Sequence, residues 1–191
     1  VIEDVASSAE KRKRDCFDLL HWLWSCETQG QRLAASNTAL WKALSGPEAA
    51  PRLHSQVHMD EHLLLVAMRN FLRALDRMPE MKASFALDPK TARAIEMLRD
   101  IYEHWDQYVD LHRAKTPFPK RSGKAFEEAY PERQPWSMVY GEDGPVLAGV
   151  IVLRDFFDSL GRFEPQARAA WSEAAAAEGS APASLRTRTR E

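Results

Sequence analysis

The chain has 191 residues, 45% hydrophobic and 28% charged, with a formal net charge of -2, the composition of an ordinary globular protein with room for one good core. The near-neutral charge excludes a histone-like or polybasic binder, so any contact with nucleic acid must come from a local patch. The longest apolar runs, Leu63 to Ala67 and Val146 to Leu153, fall far short of the roughly 20 residues that a bilayer span needs, and no membrane partner is expected.

In chain order, Ser7 and Ser8 supply an N-cap, and Cys16, Leu19, Leu20 and Leu23 recur at helical spacing; this predicts a first helix to about Thr28. Gly30 is expected to interrupt it, and a shorter helical pattern through Leu33, Leu40, Trp41 and Leu44 stops at Ser45-Gly46-Pro47. Pro51 suits the first turn of a longer helix running to about Met78, ahead of Pro79. Asp88 caps and Pro89 opens the next helix, whose stripe is Ala94, Leu98, Trp105, Val109 and His112, before Pro117.

A short helix is expected near Phe126. Residues 136–140 and 146–150 read as two strands around Gly141-Glu142-Asp143-Gly144-Pro145, where Asp-Gly supplies turn chemistry. Leu153, Phe156, Phe157, Leu160 and Phe163 predict a further helix, and Pro165 is expected to open a last one. The fold class is therefore mainly α: a multi-helix bundle over residues 1–178, with a small β-hairpin insert at about 136–152. A disordered tail is expected over 179–191, where the Ser/Ala/Pro/Arg composition has nothing to bury.

The N-terminus carries no basic region leading into an apolar core and a cleavage site. Its two cysteines, Cys16 and Cys26, would stand about 15 Å apart on one helix, beyond disulfide reach. Reduced thiols and a cytoplasmic location are expected. Neither cysteine has a nucleophile's setting, and no Gly-rich phosphate loop or nucleophile elbow is present.

The most informative segment is Leu98-Arg99-Asp100-Ile101-Tyr102-Glu103-His104-Trp105-Asp106. It holds an Arg, an acidic neighbour and a His after four intervening residues, a combination that chance supplies only about 0.05 to 0.1 times in such a chain. Arg69-Asn70 is the contrast, with Ala74 where the histidine would stand. Metal-independent RNA cleavage needs a base for the 2′-hydroxyl proton, an acid for the leaving 5′-oxygen and positive charge at the phosphate. His104 can transfer protons near neutral pH, and Arg99 offers a permanently charged fork. Asp100, four residues before His104, can orient the imidazole. Around the helix, however, Arg99 and His104 diverge by about 140°, and Glu103 can neutralise Arg99 as an i,i+4 pair.

This segment resembles the signature of the HEPN superfamily: Arg, a polar residue, three variable residues and His. The resemblance implies a helical homodimer with paired motifs in a cleft between protomers, acting as an RNase that uses no cofactor. It makes Arg99, Asp100 and His104 the catalytic residues, with Tyr102 and Glu103 secondary. It also implies a toxin or defence effector, with an antitoxin protein as a further partner. The plainer alternative is a non-catalytic HEPN-like nucleotide-binding or protein-interaction module, in which the same groups bind or merely stabilise the helix.

Two other clusters are candidates. Arg113, Lys115, Lys120, Arg121 and Lys124 follow the motif helix with Phe118 between Pro117 and Pro119, charge beside a ring as an RNA strand would require; a solvated loop is the alternative. His54, His58, His62 and Glu61 have ligand spacing and define the alternative of a metal-binding bundle. Their alternative role is a set of histidine–carboxylate hydrogen bonds, or a polar lining to the cleft that holds His104.

Overall fold

In the computed structural model, the described residues are 2–43, 50–103, 120–133, 135, 138–142 and 144–179. The helices are α1 (Ile2–Ala43), α2 (Ala50–Asp76), α3 (Pro79–Lys82), α4 (Pro89–Glu103), α5 (Lys120–Ala129) and α6 (Leu153–Gly179). A three-stranded antiparallel sheet in the order β1-β2-β3 joins α5 to α6, with β1 at Met138–Gly141, β2 at Gly144–Leu147 and β3 at Ile151–Val152. No described helix is long and apolar enough to cross a membrane.

The apolar stripes read from the sequence decide what packs on what. Arg77 of the α2 end holds Asp15 and Asp18, whereas Arg32 meets Asp60 near the α2 start, so α1 and α2 run antiparallel. Residues α6 and α4 place against α1 and α2 follow the same rule: Phe17 packs on Trp171 and Trp24 reaches Glu164, while Arg69 pairs with Glu96 and Glu61 with Tyr102. Phe71, Phe85 and Phe163 form a buried knot of edge-on rings with centroids 5.0 to 6.0 Å apart, the arrangement that aromatic quadrupoles favour. Asp88 caps α4 as expected, accepting the Thr91 N–H at 3.1 Å.

Three boundaries differ from the sequence reading. Ser7 and Ser8 lie inside α1, and α1 continues through Gly30 without a break. At Gly30 the ring of Phe157 comes so close that a Cβ would stand 2.3 Å from its Cζ; the glycine admits a neighbour and does not end the helix. Pro165 lies inside α6 and does not begin a separate helix. Its ring removes one hydrogen bond to the carbonyl of Gly161, but buried Phe163, Ala167, Ala170 and Ala174 hold the helix in the core on both sides.

The hairpin is present, with Met138 opposite Leu147 and Gly141 opposite Gly144. The second strand, expected over 146–150, is instead Gly144–Leu147, and a third strand returns at once. Ala148 and Gly149 both have positive φ (52° and 65°), and the Val150 N–H bonds the Leu147 carbonyl at 3.1 Å. This is a type I′ turn, whose twist matches that of paired strands. Cys16 and Cys26 share α1, both buried and free. The tail from Ser180 onward lies outside the described residues.

Candidate functional site

The described part of the motif segment, residues 98–103, forms the end of α4. Leu98 and Ile101 are buried there, which turns Arg99 and Glu103 toward the surface by helical spacing. The Arg99 guanidinium bonds Asp100 Oδ1 at 3.2 Å and Glu103 Oε1 at 2.5 Å, the latter being the i,i+4 pair expected from the spacing. Arg99 thus rests between two carboxylates. His104 lies outside the described residues, as do Arg113 and Lys115. Lys120 and Arg121 open α5, and Lys124 is exposed, 3.5 Å from Glu128.

The start of α2 meets this turn through buried acid. Glu61 is 1% exposed and Asp60 2%, levels at which an unpaired carboxylate would be costly. One oxygen of Glu61 accepts from the Tyr102 hydroxyl at 3.0 Å and contacts His58 Nδ1 at 3.1 Å. The hydrogen bond to Glu61 raises the His58 pKa above the ordinary imidazole value against the opposing effect of burial, and the carboxylate charge adds to the rise. Burial, followed by the charge of Glu61 and its hydrogen bond, pushes the Tyr102 phenol far up, so Tyr102 acts here as a donor.

Asp60 Oδ2 accepts from Gln56 at 3.1 Å. Its Oδ1 lies 3.2 Å from Arg32 Nη2 yet lacks a well-aligned hydrogen bond, so the two groups form an ion pair only. His62 packs its ring 6.0 Å from that of Tyr102, and its buried Nε2 has no hydrogen-bond partner. Burial lowers the His62 pKa, with Glu103 raising and Arg99 lowering it, which couples this histidine to the motif residues.

The structure therefore joins two clusters that the sequence presents separately: His58, Glu61 and His62 of α2, and Arg99, Tyr102 and Glu103 of α4. Among the described residues no three His, Cys, Asp or Glu side chains gather closely enough to hold a metal ion; the bond to Glu61 gives His58 the histidine–carboxylate role instead. Burial raises both cysteine thiols, the direction that makes a thiol inert. Sequence reasoning missed the Asp60–Arg32 pair and gave Tyr102 a secondary place. The only local signal was two consecutive acids at the head of an apolar stripe. Comparisons with protein-family models, with curated proteins and with solved structures give no match for this chain.

Proposed function

We propose that the chain is a HEPN-like helical domain that cleaves RNA without a metal ion, at a site formed where two copies bring their α4 motif segments together. Arg99 binds the phosphate, His104 transfers protons and Asp100 orients His104. The observation that supports this reading is the hydrogen bond from Tyr102 to buried Glu61, which anchors the motif turn on the histidine-bearing start of α2 and leaves Arg99 half-exposed beside it. In the reaction a base takes the 2′-hydroxyl proton and O2′ attacks phosphorus. The P–O5′ bond breaks as the second histidine protonates the leaving oxygen, leaving a 2′,3′-cyclic phosphate and a 5′-hydroxyl. To serve, Arg99 must exchange Asp100 and Glu103 for the phosphate, whose charge increases in the transition state. The biological role that accompanies this reading is a cytoplasmic toxin or defence effector restrained by an antitoxin protein, with Lys120, Arg121 and Lys124 adding phosphate attraction.

Purified protein incubated with RNA in EDTA tests the proposal. Cleavage that is lost in His104→Ala and in Arg99→Ala supports it, cleavage that survives His104→Ala rejects the assigned site, and inert wild-type protein rejects the enzyme. A second reading, a non-catalytic module, is favoured by one observation: both faces of the Arg99 fork are already occupied by carboxylates. RNA binding without cleavage selects it.

A further inference from the structure

The sheet between α5 and α6 has two edges, and they differ. β3 is two residues long, includes buried Ile151 and runs straight into α6; so short an edge is poorly suited to pairing. β1 is the open edge. Val139 and Tyr140, on opposite faces of the sheet by strand alternation, are 45% and 47% exposed. Met138–Gly141 contains no charge, proline or bulge, the devices by which proteins protect a strand edge.

Pro145 fixes which backbone groups that edge presents. It stands opposite Tyr140 in the β1–β2 register and has no N–H. Opposed residues of an antiparallel ladder alternate between pairs that exchange two hydrogen bonds and pairs that exchange none. Tyr140–Pro145 is therefore of the second kind, and Val139–Val146 and Gly141–Gly144 are of the first. The N–H and C=O groups of Met138 and Tyr140 thus point away from β2, and among the described residues they have no hydrogen-bond partner. The two faces are equally distinct. Met138, Leu147 and Ile151 align on the inner face, where Leu147 and Ile151 are buried and Asn37 of α1 bonds the Met138 sulfur. Val139, Val146 and Val152 align on the outer face, a β-branched row that ends exposed at β1.

We propose that β1 pairs with β1 of a second copy of this chain, antiparallel about a two-fold axis between the two Val139 residues. In this register Met138 of each chain faces Tyr140 of the other, each pair exchanging two hydrogen bonds, so every outward backbone group of both residues is satisfied. Val139 meets the partner's Val139 as a pair without hydrogen bonds, the kind in which side chains approach most closely, and the valine row continues across both sheets. The occupant is a second copy because the edge is self-complementary. It bears no charge, and Glu142 at the hairpin tip stands three residues from the axis, about 20 Å from its counterpart along the strands and beyond the screening length of physiological salt. Val139, Tyr140 and Trp41, the last 59% exposed with its ring 5.8 Å from that of Tyr140, supply apolar area. Together with one short strand this falls below the roughly 800 Å² per partner of a standard interface, so the dimer is a weak one, formed at micromolar concentrations and above. The pairing does not depend on the α4 site or on RNA cleavage.

Sedimentation velocity of the full chain over a range of micromolar concentrations tests it, together with oxidative cross-linking. Wild-type protein is expected to show a monomer–dimer equilibrium. Val139→Lys, which sets like charges directly opposite one another, is expected to weaken it by about ten-fold; Val139→Glu should do the same, and an equimolar mixture of the two variants should recover the dimer. Val139→Cys is expected to form a disulfide dimer on oxidation, because opposed residues of such a pair stand about 4.5 Å apart at Cα, within disulfide reach. Tyr140→Cys, similarly exposed but opposite the partner's Met138, should form little. Cys16 and Cys26 are buried, and the cysteine variants keep the test decisive if Val139→Lys fails to fold. Wild-type protein that stays monomeric throughout, a dimer that a folded Val139→Lys leaves unchanged and so lies on another surface, or equal cross-linking of the two cysteine variants would each overturn the proposal.

Discussion

Tyr102 of α4 and Glu61 of α2, 41 residues apart, share a 3.0 Å hydrogen bond in which the acceptor is almost wholly buried and also contacts His58. One carboxylate oxygen thereby ties together two helices and the histidine at the start of α2. Tyr102→Phe removes a donor from a buried charge, and the expected loss is about 1–3 kcal/mol of unfolding free energy, measured by urea denaturation. A loss below measurement error would mean that water reaches Glu61 and replaces the phenol.

The two histidines of this site should give opposite pH signatures. The folded-state pKa of His58 is raised by Glu61, so its stabilising contribution is fully present below the unfolded value near 6.5 and is lost as pH rises through the folded value. That of His62 is lowered by burial; protonation there favours the unfolded chain, and stability is lost as pH falls below about 6.5. Thermal melts across pH 5 to 8 are expected to show His58→Gln narrowing its deficit relative to wild type as pH rises, whereas His62→Gln gains relative to wild type as pH falls. Parallel curves for both variants would refute the assignment.

On the proposed function, freeing Arg99 strengthens its binding to phosphate. Glu103→Gln removes the charge of its i,i+4 partner, and a several-fold rise in affinity for single-stranded RNA is expected at fixed salt, read by fluorescence anisotropy. Arg99→Ala should lower affinity and flatten the salt dependence by about one phosphate contact. An unchanged salt slope in Arg99→Ala would remove Arg99 from the RNA-binding surface.

Gly30 offers a test in which two physical effects compete. Any larger residue gains helix propensity, about 1 kcal/mol relative to glycine, but meets the Phe157 ring at a distance no Cβ tolerates. Alanine displaces only the tip of that ring, so Gly30→Ala is expected to be near neutral. Gly30→Leu must displace the whole ring and is expected to lose about 1–3 kcal/mol to overpacking, with a lower melting temperature. Stabilisation by leucine would show that Phe157 moves aside freely.

Much of the architecture was legible because its signals are local. Asp88 and Pro89 start α4 through capping chemistry that acts within four residues, Ala94 and Leu98 of the α4 stripe are buried while its other members, Trp105, Val109 and His112, lie outside the described residues, and the Arg99–Glu103 pair follows from helical spacing alone. Asp-Gly before Pro145 likewise announced the hairpin. These elements depend on neighbours in sequence, so composition and spacing suffice to identify them.

Only the tertiary structure decided the rest. Gly30 and Pro165 have the chemistry of helix ends, yet both lie inside helices, because Phe157 occupies the space beside one and core packing spans the other. Ala148 looks like a strand residue until β3 returns and demands a left-handed turn. The burial of Asp60 and Glu61, and the meeting of Glu61 with Tyr102, require helices from distant parts of the chain to share one face. The energy of burying a charge is set by whatever surrounds it in space, and no run of adjacent residues contains that information.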